Sequence, residues 1–305
     1  PVFEPYDPLP GLDGVAALTG LAADATVTER PILAVKVDNI ARARPQWGLE
    51  QADVIFEENV EQITRFVALF HTRLPDRAGP VRSARTGDID ILSGMNRPIL
   101  AWSGGNRGVT RWVRAAADAG RIVDFTAQSN PCYQRTRTKP APHNLLLDPA
   151  CAVNENAVGP GAARPLWDIS ADWSPPSTGE EIAEFDVEMD GNRVTWRWDE
   201  ASGTYLRFQN GNPHLTQSGD QLAFTNVIEL YSPHLRSPVD GRSPNPLTVG
   251  RDRAVIHRAG VTFEGVWERR NPVGPFTFID ALTGVPIPLE PGTTFVEITR
   301  NPAFG

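Results

Sequence analysis

A chain of 305 residues, 40% of them apolar and 22% charged, is long enough to bury the core of one large domain or two smaller ones. No apolar run approaches the roughly 18 residues that a membrane-crossing helix needs. The net charge of -8 opposes general affinity for nucleic acid, whose phosphates call for a basic surface, so no nucleic-acid partner is expected.

The first eleven residues, from Pro1 to Gly11, are rich in proline and lack both an initiator methionine and a charged-then-apolar leader. Residues 1–29 read as an extended segment suited to a tether leaving a membrane anchor. Short apolar runs with β-branched or aromatic content, Ile32–Val37, Asp53–Phe56 and Arg65–Phe70, predict strands. A helix is expected over Gly87–Met95, with Thr86 as its N-cap and Asp88 and Asp90 near its positive end. Pro98–Trp102 reads as a further strand. The glycine-rich turn Ser103–Gly108, a helix over Val109–Ala119 that stops at Gly120, and a strand over Ile122–Phe125 then complete one β-α-β unit. Such a unit implies a mixed or parallel sheet covered by helices.

Cys132 and Cys151 bracket a segment containing Pro140, Pro142 and Pro149. A disulfide there would stabilise the fold by ~3 kcal/mol, and two unrelated thiols are the alternative. With no Cys-x-x-Cys or paired-histidine spacing, neither a metal nor a cofactor is expected.

Pro/Gly-rich connectors at 154–165 and 174–179 precede a change of pattern. Val194–Trp198 and Thr204–Phe208 alternate around a turn, and further strands are expected over Thr225–Tyr231, Ala254–His257, Val261–Trp267, Phe276–Ile279 and Thr294–Thr299. The fold class is therefore an α/β N-terminal half with a mixed sheet and covering helices, followed by a β-rich C-terminal half, mixed α+β as a whole. An α/β domain over 30–165 is followed by a β-rich region over 175–305, either a separate domain or an extension of the first sheet.

Arg65, Arg82 and Arg85 lie in or just beyond apolar sequence. A guanidinium stays charged and is costly to desolvate, so each must find an anion in the protein or on a ligand. We take Arg65, Arg82, Ser83 and Arg85, with Asn39, Gln46 and Asn144 as neutral hydrogen-bonding groups, as the candidate ligand site. The competing reading is an internal network in which Asp38, Asp53, Glu57, Glu58 and Glu61 neutralise the same arginines. His143, beside Asn144, is the candidate proton-transfer group, with Glu57 as an acidic alternative; a structural histidine is the commoner case. Ser83 lacks the Gly-x-Ser-x-Gly setting of a nucleophile, and Ser103–Gly108 lacks the lysine of a P-loop. His214, His234 and His257 read as isolated. Trp196, Trp198, Tyr205 and Phe208 either stack on sugar rings or pack a core, and core packing is the ordinary outcome.

Arg30-Pro31, Val37-Asp38-Asn39, Ala43-Arg44-Pro45-Gln46, Ala52-Asp53-Val54 with Glu57, Ile63-Thr64-Arg65-Phe66, Gly79 to Arg85 and Pro142-His143-Asn144-Leu145 form an ordered set. The set continues through Tyr205-x-Arg207, Asn226-Val227 and Ile287 to Gly292. In these the chain resembles, over nearly its whole length, the YerB-like family of bacterial predicted lipoproteins, a domain family without established activity. It departs from the family pattern at Phe295, where a tryptophan is usual. The resemblance implies an extracytoplasmic protein on the outer face of the cytoplasmic membrane, held by an N-terminal lipid that this sequence does not carry. The expected function is binding or adaptor work, engaging an anionic wall component such as peptidoglycan, or an envelope protein, through an arginine-centred cleft. The alternative is an envelope hydrolase or transferase in which His143 or Glu57 moves a proton; a third outcome is a scaffold whose own carboxylates close the cleft.

Overall fold

The computed structural model describes residues 1–301. The N-terminal half runs α1 (Ala25–Thr28), β1 (Leu33–Asp38), the hairpin β2 (Val54–Val60) and β3 (Ile63–Phe70), α2 (Thr86–Leu92), β4 (Ile99–Trp102), α3 (Arg107–Asp118) and β5 (Val123–Thr126). The small hairpin β6 (Tyr133–Arg135) and β7 (Leu145–Leu147) and helix α4 (Pro149–Glu155) complete it. The C-terminal half consists of β8 (Glu180–Glu181), β9 (Glu184–Met189), β10 (Asn192–Asp199), β11 (Thr204–Gln209), β12 (Asn212–Pro213) and β13 (Ala223–Phe224). It continues through β14 (Asn226–Ser232), β15 (His234–Ser237), β16 (Asp240–Pro246), β17 (Gly250–Arg258), β18 (Val261–Arg269), β19 (Thr277–Asp280) and β20 (Thr294–Arg300).

One sheet takes strands from both halves, in the order β19-β18-β17-β14-β20-β2-β3-β1-β4-β5, with β8 beside β18. The last strand, β20, lies near its middle, parallel to β14 on one side and to β2 on the other. Both faces are covered, and the period-two alternation of a strand sorts side chains between two cores. Ala34, Val67, Leu69 and Val296 join Ile89 and Leu92 of α2 and Val109 and Val113 of α3. Leu33, Val35, Phe66 and Phe295 face the other way, onto Trp196, Tyr205 and Phe224 of the smaller sheet β9–β13.

The expected β-α-β unit is β4-α3-β5, with β4 and β5 parallel. Two local expectations need correcting. Thr86 is the first residue of α2 rather than its N-cap: Arg85 holds the cap position, and its backbone N–H is taken by the Asp88 carboxylate at 2.7 Å. Thr86 turns its hydroxyl to Asn245 at 2.5 Å instead. Strands β9, β15 and β16 were not among the predicted ones, because charges, prolines and Gly241 hide their alternation. Trp196 and Tyr205 are fully buried, so this aromatic hairpin packs a core and offers no sugar-stacking face there.

Cys132 and Cys151 are joined, with their Cα atoms 5.5 Å apart. The bond ties the β6–β7 hairpin to α4. Replacing both cysteines by serine should lower the unfolding free energy by about 2–4 kcal/mol, read as a fall in the urea midpoint; an unchanged midpoint would show that the crosslink contributes nothing.

Candidate functional site

β1, β4 and β5 are parallel neighbours, so Asp38, Trp102 and Thr126 end at one edge of the sheet. The crevice outside the carboxyl ends of parallel strands is where such sheets present ligand sites. The segment that follows β3 is threaded into this edge: Arg82 donates its N–H to Lys36 O at 2.8 Å and accepts at its own carbonyl from Ser103 N at 2.9 Å. Arg82 and Ser83 are thus fixed between the ends of β1 and β4. Arg65 stands directly across from Asp38 on β3.

The three arginines are met unequally. Arg82 places Nε 3.1 Å from Asp38 Oδ2, although without hydrogen-bond alignment, and its side chain stays partly exposed. Arg85 pairs with the half-exposed Glu61 at 3.1 Å and donates to Ala84 O at 3.0 Å. Arg65, only 5% exposed, has no carboxylate within ion-pair distance among the described residues. Its hydrogen bonding is a single donation from Nη1 to Ser83 O at 3.3 Å, and its buried Nε has no partner. Burial, reinforced by the charges of Arg85 and Arg82, pushes its pKa down to about 10. It remains charged at neutral pH.

The acids expected to neutralise this cluster are largely committed elsewhere. Asp53 accepts from the backbone N–H groups of His71 and Thr72, at 2.6 and 2.9 Å. Glu58 and Asp88 share Lys36, a fully buried ammonium that lies 2.6 Å from Asp88. Glu57 lies on the opposite face, bonded to the fully buried Arg207 guanidinium, which also has Glu297 3.7 Å from its Nε. Two carboxyls around one buried cation cannot both ionise cheaply. In the second group it is Glu297 whose pKa burial and the neighbouring Glu57 drive well above the carboxylate range.

The neutral groups expected at the ligand site belong to that internal network instead. Asn39 donates to Glu57 at 3.0 Å and to Thr64 at 2.8 Å, and Gln46 donates to Asn39 at 3.1 Å while its carbonyl faces His214 Nε2 at 3.0 Å. Both are buried, and neither turns toward Arg65. Glu57, fully buried behind them, has no access to a substrate, which corrects its candidacy as a proton carrier. Arg207 and Glu297 were missed as partners because β11 and β20 supply them from far along the chain.

His143 is placed at the edge. Its Nδ1 lies 2.7 Å from Asp38 Oδ2, the same oxygen that faces Arg82. Asn144 points away from the cluster: it accepts from Arg135 at 2.7 Å and donates to Thr136 O at 3.0 Å, so it shapes the β6–β7 hairpin. His257 faces Glu229 at 3.1 Å and His234 lies against Ser232 O at 2.9 Å, each in its own structural setting.

A cavity of about 430 Å³ opens beside the arginines, lined by Trp102, Ser103, Gly104, Arg114, Tyr133 and Arg135 among others. Gly104, at φ +90°, makes the junction close: a Cβ there would meet Ser83 Oγ at 2.9 Å. Arg65, Arg82 and Arg85 are not among the lining residues. Arg82 adjoins the cavity through Ser103, a lining residue whose N–H donates to Arg82 O at 2.9 Å.

Two family models match the sequence, both described as protein of unknown function (DUF3048): the N-terminal domain over residues 18–159 and the C-terminal domain over 185–296. A curated relative, "Putative lipoprotein YerB" of Bacillus subtilis (strain 168), is 28% identical over 294 residues, covering 94% of this chain and 86% of that protein. The crystal structure of YerB protein from Bacillus subtilis superposes with a TM-score of 0.78 at 25% identity, covering 93% of this chain and 96% of that one.

The Lys36 group has a measurable signature. Burial raises Glu58 to about 8, the Lys36 charge opposes the shift, and the adjoining Asp88 adds to it. Between its ordinary value and about 8 the folded chain holds a proton that the unfolded chain has released. Stability from this group is therefore full at low pH and declines as pH rises through that window, by at most about 1.4 kcal/mol per pH unit. Urea midpoints for wild type and Glu58→Gln, taken from pH 5 to 8.5, should diverge with that slope; parallel curves would contradict the shared proton.

Proposed function

This chain belongs to the DUF3048 family of proteins of unknown function, and from that premise we propose that it is a binding or adaptor protein of the cell envelope. Its ligand is an anionic wall component, or the acidic groups of an envelope protein, engaged at the arginine cluster on the carboxyl edge of β1. The observation that carries this reading is Arg65: buried, charged, and provided, among the described residues, with one long carbonyl contact and no carboxylate. Buried Arg121 also lacks a carboxylate among the described residues, but it donates to Glu4 O at 2.8 Å and lies over the Tyr6 ring, and two further buried cations are better supplied. Lys36 has two carboxyls, and Arg269 donates to the carbonyls of Gly274 at 2.9 Å, Asp90 at 2.8 Å and Pro272 at 2.5 Å.

Four cations, Lys36, Arg65, Arg82 and Arg85, surround the start of α2 with four carboxyls, Asp38, Glu58, Glu61 and Asp88. Burial pushes Glu58 toward its protonated form, which tilts the group toward an excess of positive charge. An oxyanion held by Arg65 and Arg82 would balance it, each charge-assisted bond contributing on the order of 1.5–3 kcal/mol. No helix of the described residues is long and apolar enough to cross a membrane. The name of the Bacillus subtilis relative, a lipoprotein, supports attachment through lipid, which we extend to this chain, and the outer face of the cytoplasmic membrane is the location we propose for it.

A second reading has one observation in its favour. Asp38 orients His143 through Nδ1, the arrangement by which a carboxylate fixes an imidazole for proton transfer, and this supports an envelope hydrolase acting on an anionic polymer. Mass analysis after incubation with purified wall polymer separates the two readings: products lost on His143→Ala would establish hydrolysis. For binding, titration calorimetry with soluble anionic wall fragments should give a saturable heat whose affinity falls at least ~10-fold in Arg82→Ala, about 1.4 kcal/mol. Equal or absent heats in both proteins would remove the anion-binding reading.

A further inference from the structure

The cavity beside the arginine cluster carries its own positive charge. Arg114 of α3 and Arg135 of β6 both line it, and both are exposed. On α3, Arg107, Thr110, Arg111 and Arg114 recur at intervals of three and four, which sets them along one face with roughly 5–6 Å between successive Cβ atoms. Val109, Val113 and Ala116 take the buried face. Arg107, Arg111 and Arg114 have no ion pair among the described residues, although the chain as a whole is acidic. Asp118 reverses the sign only at the far end of the helix.

The floor differs from the rim. Trp102, Tyr133 and Leu145 supply buried apolar surface, while Ser103, Thr110 and Gln128 supply hydrogen-bonding groups around it. A site of this make-up suits a ligand that alternates anionic groups with a carbon backbone. Arg65 and Arg82 lie outside the cavity lining, with Arg82 adjoining it through Ser103. One compact ion would satisfy one set of guanidiniums and leave the other bare.

We propose that the cavity and the arginine face of α3 form an extended track for a linear polyanion, whose successive charges meet Arg82, then Arg135 and Arg114, then Arg111 and Arg107. This rests on the anion-binding reading of the arginine cluster and deepens it by assigning the ligand class: a chain of repeating phosphates or carboxylates in place of a single small ion. Linked charges bind as one ligand, so the chain gains by effective concentration what each contact lacks alone.

The test uses three probes, inorganic phosphate, linear polyphosphate and poly-L-glutamate, against wild type, Arg82→Gln and the triple variant Arg111→Gln, Arg114→Gln, Arg135→Gln. The three substituted side chains of the triple variant are exposed, and because Arg135→Gln gives up the bond to Asn144, an unchanged urea midpoint is the control that its fold is retained. Wild type should bind at least one chain ~10-fold or more tightly than inorganic phosphate, with an affinity that falls steeply with salt. The triple variant should lose at least ~10-fold for that chain with a shallower salt dependence, and keep its affinity for inorganic phosphate. Which chain binds identifies phosphate or carboxylate as the source. Chain and phosphate binding alike in wild type, or chain binding intact in the triple variant, overturns the track and leaves the arginine cluster standing. Failure of all three probes on wild type overturns both.

Discussion

A guanidinium cannot shed its charge, and a protein that buries one must supply an anion, a set of carbonyls or an opening through which a ligand can supply it. The architecture of this sheet is largely a set of answers to that demand. Lys36 of the large sheet and Arg207 of the smaller one, serving opposite faces of the large sheet, each gather two carboxyls, and in each group one carboxyl is driven toward its protonated form. Arg269 is caged by backbone oxygens. Arg65 receives none of these treatments, and it stands at the edge where the parallel strands end.

These networks also explain how the halves of the chain cohere. β20 returns from the C-terminal end to lie beside β2, which brings Glu297 opposite Glu57. Arg207 of the smaller sheet then reaches across to both carboxyls, with the rings of Phe66, Trp196 and Phe295 within about 6 Å of its charge. Removing one member of such a group leaves an uncompensated buried charge, so its geometry is held firmly. That rigidity fixes β1 and β3 and, through them, the positions of Asp38 and Arg65.

Where physical signals were local, the sequence was legible. The strand at Pro98–Trp102, its glycine-rich turn and the helix ending near Gly120 could be read from residue type and spacing, and so could the alternating hairpin around Ala201-Ser-Gly203. Arg65, Arg82 and Arg85 could be grouped as candidates because each lies in or just beyond apolar sequence. What was illegible depended on distant partners. Nothing near Gln46 announces that His214 will draw its side chain inward, and nothing near Glu57 announces Arg207, which lies 150 residues away. Strand β16 contains two prolines, a glycine and a surface arginine, and it pairs only because β15 lies next to it.

Arg65 is therefore an under-compensated buried cation within a cluster of arginines that lies beside a charged cavity. Anomalous diffraction from crystals soaked in tungstate examines this directly, because the tetrahedral oxyanion mimics phosphate and its metal scatters strongly. The account predicts a peak within hydrogen-bonding reach of both Arg65 and Arg82. Ordered tungstate elsewhere on the surface with none at this pair, or an Arg65 guanidinium found paired with Asp38, would contradict it.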